Sequence, residues 1–184
     1  MSATNQLREE HKIIEKVLKA MELLILMLKE GKDVPVEILN DTVDFITNFT
    51  DRCHHSKEED ALFPALEEKG MPREMGPIAV MLREHEQARD IARALGETVT
   101  KYGEGNKEAK QSIIQFAVLY VGHIKQHIFK ENNILFNIAD SILQVESSKV
   151  DEDLKKIQDT KIPKEVYDQY KKLADSLASA INGI

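Results

Sequence analysis

The sequence has little of what several common classes of protein require. It contains one cysteine, Cys53, so no disulfide can form within the chain, and this favours a reducing compartment. No apolar run approaches the roughly 18 residues of a membrane span, and the first residues lack the apolar region of a signal peptide. We therefore expect a cytoplasmic protein that does not enter a membrane.

Basic residues are also too few to indicate a nucleic-acid surface. Lysine and arginine number 25 against 32 aspartate and glutamate residues, which gives a net charge of −7. Phosphate backbones are bound by clustered basic faces, whereas the lysine pairs of this sequence alternate with acidic residues. We expect no nucleic-acid partner. A chain of 184 residues is long enough to bury one core, as a monomer or as a homodimer.

Four segments carry the three-and-four spacing of apolar residues that is typical of amphipathic helices. They span residues 4–29, 35–70, 77–101 and 107–145. No segment alternates with the period of two that strands require. The sequence therefore predicts an all-α, up-down antiparallel four-helix bundle over residues 1–145. We expect residues 146–184 to add extra short C-terminal helices that pack on this bundle.

Buried helix faces contain unexpected polar residues. The face predicted for the fourth helix consists of Ile113, Ala117, Tyr120, Ile124, His127, Glu131, Ile134, Ile138 and Ile142. His11 completes an otherwise apolar series in the first helix, and His85 lies among apolar residues in the third. A histidine or a glutamate on an apolar face is unfavourable unless it is paired or bound to a metal.

An internal repeat connects these polar positions. The sequence HHSKEEDALF at 54–63 is similar to HIFKENNILF at 127–136, and both fit H-x-x-K-E-x-x-x-L-F at an offset of 73. His11 and His85, each preceded by a glutamate, are offset by 74. Each half of the chain therefore presents one lone histidine and one H-x-x-x-E pair to a shared centre.

The spacing within each pair suits the binding of an ion. Residues four apart on a helix point in nearly the same direction, and imidazole with carboxylate suits iron, and also zinc, copper or nickel. One such pair alone is commonly a surface ion pair, but repeat-equivalent buried positions favour a metal centre. The predicted ligands of two ions are His11, His54, Glu58, His85, His127 and Glu131. We expect each glutamate to bridge both ions, about 3.5–4 Å apart, and about four of twelve octahedral positions to stay open.

Two alternatives remain for the ligand set. His55 and Glu59 also satisfy H-x-x-x-E, although the internal repeat favours the register of His54 and Glu58. His123 lies one turn before the fourth-helix pair and either extends the row of ligands or remains outside it.

These motifs resemble those of the hemerythrin-like family, also called HHE cation-binding domains. The matching segments are LREEH at 7–11, CHHSKEEDALFPAL at 53–66, MLREHE at 81–86 and HIFKENNILF at 127–136. The resemblance implies a non-haem di-iron centre, with two oxo- or hydroxo-bridged iron ions held by four antiparallel helices. Oxygen carriers of this family use five histidines, with a His/Asp pair on the fourth helix. Here Met81 replaces the first histidine of the H-x-x-x-H that these carriers have on the third helix, and Glu131 lies four residues after His127.

The resemblance also implies a range of functions. The partner would be a small diatomic ligand or peroxide, so we expect a protein that binds or reacts with O2, NO or peroxide in sensing, scavenging or stress defence. One alternative is iron storage or delivery, or iron–sulfur cluster repair. Another is an enzyme that decomposes peroxide, because the four-histidine, two-glutamate set is similar to that of family members credited with this activity.

Overall fold

The computed structural model describes residues 2–182, and this part of the chain is all-helical, without strands. In chain order the helices are α1 (Asn5–Lys29), α2 (36–68), α3 (Gly76–Gly103), α4 (109–142), α5 (Ser147–Lys161) and α6 (Lys164–Asn182). Gly31 (φ 84°) and Gly70 (φ 90°) follow α1 and α2 in the left-handed conformation that commonly ends helices. No helix among residues 2–182 is both long and apolar enough to cross a bilayer.

Helices α2 and α4 contain π-helical segments within otherwise α-helical hydrogen bonding. In α2, Val36–Asp44 and Phe63–Glu68 are α-helical, and Phe45–His55 and Glu58–Leu62 are π-helical. In α4, Ala109–Lys130 and Phe136–Ile142 are α-helical, and Glu131–Leu135 is π-helical. A π-helical turn contains an extra residue and is frequent at functional sites.

The π-helical turn of α4 changes which residues are buried. The predicted apolar face is confirmed up to this turn, but from within the turn onward the prediction is wrong, because Ile134 is 51% exposed and Ile142 is 38% exposed. The side chains that are buried there are Leu135, Phe136, Ala139 and Leu143. The extra residue in the turn rotates the rest of the helix, so that the next residue along the chain faces the core.

The helices pack around a layer of polar side chains. Helix α4 packs against α1 and α3, α3 packs against α2, and α6 packs along α1. The described residues form two hydrophobic clusters, one containing Phe45 and Phe49 and the other containing Phe63 and Phe136. On each of α1–α4 the predicted histidines and glutamates lie between residues of one cluster and residues of the other. The polar layer is therefore enclosed by apolar side chains on both sides.

Candidate metal centre

The structure brings the six predicted side chains together in this layer, and each is at most 2% exposed. Glu58 has Oε1 3.6 Å from His54 Nε2 and Oε2 3.2 Å from His85 Nε2. Glu131 has Oε2 3.1 Å from His11 Nε2 and Oε1 3.1 Å from His127 Nε2. Each carboxylate therefore extends one oxygen towards a histidine from each half of the repeat.

These atoms approach one another without forming hydrogen bonds. Among the described residues, the buried side-chain atoms that lack a hydrogen-bond partner are Thr50 Oγ1, the Nε2 atoms of His11, His54, His85 and His127, and both carboxylate oxygens of Glu58 and Glu131. A buried polar atom without a partner costs free energy, and a buried carboxylate costs more. Cations bound between the imidazole nitrogens and the carboxylate oxygens would satisfy these atoms, so the residues fit a metal.

The ligand atoms form two groups, within each of which the atoms lie within 4.8 Å of one another. The first, called the His54 group here, contains His11, His54, Glu58 and Glu131. The second, the His127 group, contains His55, Glu58, His85 and His127. Glu58 belongs to both groups, as expected of a side chain that can contact two ions.

His55 is the functional candidate that lies outside the predicted set. Its ring is 2% exposed and stacks on the ring of His85 with centroids 4.0 Å apart. Consecutive residues diverge less around a π-helix than around an α-helix, so that His54 and His55 can both face the centre. The pair of adjacent histidines is the sequence signal for this position. Glu59, the alternative partner of His55, instead contacts His85 Nδ1 at 2.6 Å.

Each of the five histidines in the two groups has an oxygen acceptor within hydrogen-bond distance of its Nδ1 atom. The acceptors are Glu10 for His54 (3.0 Å), Glu84 for His127 (3.0 Å), Asn132 for His11 (2.9 Å), Glu59 for His85 (2.6 Å) and Asp51 for His55 (3.3 Å). A histidine that donates Nδ1–H to an acceptor keeps its Nε2 lone pair for a metal, and the hydrogen bond fixes the ring. The outer partners therefore prepare all five rings for ligation.

The lysine of the repeated motif has a role in this outer layer. Lys57 donates to Glu10, and its repeat equivalent Lys130 donates to Glu84. Burial raises the pKa of Glu10, but His54 and Lys57 more than offset this and hold it at about 2. The hydrogen bond from His127 lowers the pKa of Glu84 to about 2, with a further contribution from Lys130. Both carboxylates therefore stay ionised as acceptors.

His123, the remaining candidate, and the single cysteine Cys53 lie outside both groups. The Nε2 atom of His123 is 2.8 Å from the backbone oxygen of Glu84, to which it can donate. His123 therefore contacts the outer layer of the site and not its centre. Cys53 is buried, and burial raises the pKa of its thiol to about 11, so the thiol stays protonated at neutral pH.

An all-helical fold with buried histidine and glutamate groups that can hold a cation defines the class of this protein. The sequence model of the hemerythrin HHE cation-binding domain family matches residues 2–139 of the chain. The chain therefore belongs to the hemerythrin HHE cation-binding domain family, as its motifs predict.

Curated relatives add little about function. The chain is 22% identical over 136 residues to an uncharacterized protein of Mycobacterium bovis and to uncharacterized proteins of two strains of Mycobacterium tuberculosis. The alignments cover 74% of this chain and 52% of each relative, so the chain spans about half the length of the curated relatives it matches. No solved structure matches the chain.

Proposed function

We propose that this chain is a non-haem di-iron protein, in which α1–α4 form an antiparallel four-helix bundle around two iron ions. The proposed ligands are His11, His54, His55, Glu58, His85, His127 and Glu131. The observation that carries this proposal is the set of buried Nε2 and carboxylate atoms that converge without hydrogen-bond partners. Nitrogen and oxygen donors without a thiolate favour iron over a structural zinc ion.

The number of donors leaves room for an external ligand. Five imidazole nitrogens and four carboxylate oxygens make nine donor atoms. Two six-coordinate ions have about twelve positions, so about three remain for small molecules. Including His55 thus leaves one fewer open position than the six-residue set.

The surroundings of the centre favour a small reactant. A cavity of about 310 Å³ is lined in part by His55, Asp51, Arg89 and Tyr120. Hydrophobic clusters on both sides of the polar layer limit the entry of water. Non-haem iron supplies one-electron chemistry and reactions with O2. We therefore propose O2, NO or peroxide as the molecule that the protein binds or transforms.

Peroxide decomposition is the second candidate function, and the charged side chains among those that line the cavity favour it. The guanidinium of Arg89 lies 2.8 Å from Asp51 and 2.7 Å from Glu59, so charged hydrogen-bonding groups surround the approach to His55. Such groups can hold hydrogen peroxide, which both donates and accepts hydrogen bonds, better than they can hold O2.

Metal analysis with a visible spectrum of the purified protein tests the proposed function. We expect two iron ions per chain and a charge-transfer band in the visible range. A protein that binds no iron when it is refolded with ferrous iron would contradict the proposal. A reversible spectral change on aerating the reduced protein would support a binding role, and peroxide turnover above that of free iron would support the enzyme.

A further inference from the structure

The two repeat-equivalent pairs in the outer layer differ in their exposure. In the α1–α2 half, the side chains of Glu10 and Lys57 are 1% and 0% exposed. In the α3–α4 half, the side chains of Glu84 and Lys130 are 13% and 37% exposed. The residues that orient His54 are therefore sealed from solvent, whereas those that orient His127 are not.

The C-terminal helices cause this difference. The hydroxyl of Tyr167, on α6, donates to Oε1 of Glu10 at 3.0 Å, and its ring lies 5.2 Å from Nζ of Lys57. The side-chain oxygen of Gln158, on α5, accepts from Nζ of Lys57 at 2.9 Å. Both residues lie beyond residue 139, where the match to the family ends. The sealed pair thus depends on a part of the chain outside the matched domain.

The His127 group, by contrast, lies beside open space. Its member His55 lines the cavity of about 310 Å³ together with Asp51 and Arg89. Within residues 2–182, the side-chain partners of the Glu84 carboxylate are His127 and Lys130, and neither α5 nor α6 supplies one. Among the described residues, the outer layer of the His127 group therefore lacks the contacts that α5 and α6 make with Glu10 and Lys57.

We propose that the C-terminal helices make the two ion positions unequal, with Tyr167 as the positioning residue. Tyr167 holds Glu10, and Glu10 in turn holds the ring of His54. An ion in the His54 group is retained, whereas an ion in the His127 group, whose outer partners Glu84 and Lys130 border solvent, exchanges first. This inference rests on the proposed function, since it requires that both groups bind iron.

Iron release to a chelator tests the proposal. The full chain is loaded anaerobically with two ferrous ions, and excess ferrozine is added while the absorbance of its iron complex is recorded. We expect two phases of equal amplitude, with rates that differ on the order of tenfold, since outer partners of ligands commonly change metal affinity by about 10–100-fold. Tyr167→Phe keeps the ring but removes the hydroxyl, and should accelerate the slow phase on the order of tenfold.

Tyr170→Phe is the matched control, because Tyr170 lies on the same helix and donates to the exposed side of the molecule, at Asp44 (2.6 Å). This control should change neither phase. Release of two ions in a single phase would overturn the inference and leave the proposed function intact, whereas failure to bind iron would contradict the proposed function itself. Acceleration of both phases by Tyr167→Phe, or an equal effect of Tyr170→Phe, would indicate general loosening and would also overturn the inference.

Discussion

The α1–α2 half of the candidate centre and the α3–α4 half supply the same kinds of side chain in different surroundings. Each half provides an H-x-x-x-E pair, a lone histidine and a Glu–Lys pair that contacts a histidine of its own half. The Glu10–Lys57 pair lies under α5 and α6, and the Glu84–Lys130 pair borders solvent. The comparison teaches that the repeat determines which atoms face the centre, whereas the sequence outside the repeat determines how accessible each half is.

The halves also differ in the inner layer. His55 in the α1–α2 half occupies the position equivalent to Ile128 in the α3–α4 half. The fifth imidazole therefore has no counterpart in the α3–α4 half. His11 contacts the amide of Asn132, whereas its equivalent His85 contacts the carboxylate of Glu59. A carboxylate is the stronger acceptor and makes an imidazole more basic. The two proposed ion positions are therefore expected to differ in ligand basicity as well as in exposure.

Removing a carboxylate that contacts histidines of both halves should give the largest effect, because it should weaken iron binding in both halves. We expect Glu58→Ala and Glu131→Ala each to lower bound iron to well below two per chain, because each side chain contacts histidines of both halves. Iron per chain is measured by mass spectrometry after gel filtration. Glu86→Ala, at a 71% exposed position, should keep both ions. Full retention by Glu58→Ala and Glu131→Ala would show that the glutamates do not hold the ions.

Neutralising the equivalent outer glutamates should reveal the difference in burial. We expect Glu10→Gln to lower the free energy of unfolding by about 3–5 kcal/mol, because it leaves the fully buried Lys57 without a counter-charge. Glu84→Gln should cost about 1 kcal/mol or less, since Lys130 can be solvated. Urea unfolding of the metal-free proteins gives both values. Adding Lys57→Met to Glu10→Gln should recover most of the loss, and equal losses for the two glutamine variants would refute the difference.

His55 allows the smallest and most local test, because it has no equivalent ligand in the other half. We expect His55→Ala to raise the dissociation constant of one ion, on the order of tenfold, and to leave the other unchanged. Titration with ferrous iron measures both constants. His123→Ala is the control, since His123 contacts a backbone oxygen and belongs to neither ligand group. Equal affinities in His55→Ala and the unmodified protein would exclude His55 as a ligand.

Much of this arrangement can be predicted, because α-helical periodicity and the repeat can both be recognised directly in the sequence. The helix ends after α1 and α2, and the convergence of six side chains, follow from spacing and from Gly31 and Gly70. The burial of His55 and the exposure of Ile134 do not, since both lie in π-helical segments. A prediction that assumes regular α-helical geometry along the whole helix assigns these residues to the wrong helix face.

The contact of the C-terminal helices with the outer layer could not be predicted either, but the reason is different. Tyr167 and Glu10 are 157 residues apart in the sequence, and no motif connects them. Their contact depends on how α6 packs along α1, which is a property of the tertiary structure. The amphipathic pattern of residues 146–184 predicts that these helices pack on the others, but not which polar residues they reach.

The outer hydrogen-bond layer has a consequence for the charge of the centre. Each of its carboxylates faces a cation: Glu10 contacts Lys57, Glu84 contacts Lys130, and Glu59 and Asp51 share Arg89. Three cations for four carboxylates leave the layer with one negative charge. With Glu58 and Glu131, three negative charges would therefore face the four positive charges of the two proposed divalent ions. Excess charge in a buried site is unfavourable. Hydroxide or another small anion is thus expected to enter with the metal, so that apparent iron affinity increases as pH rises.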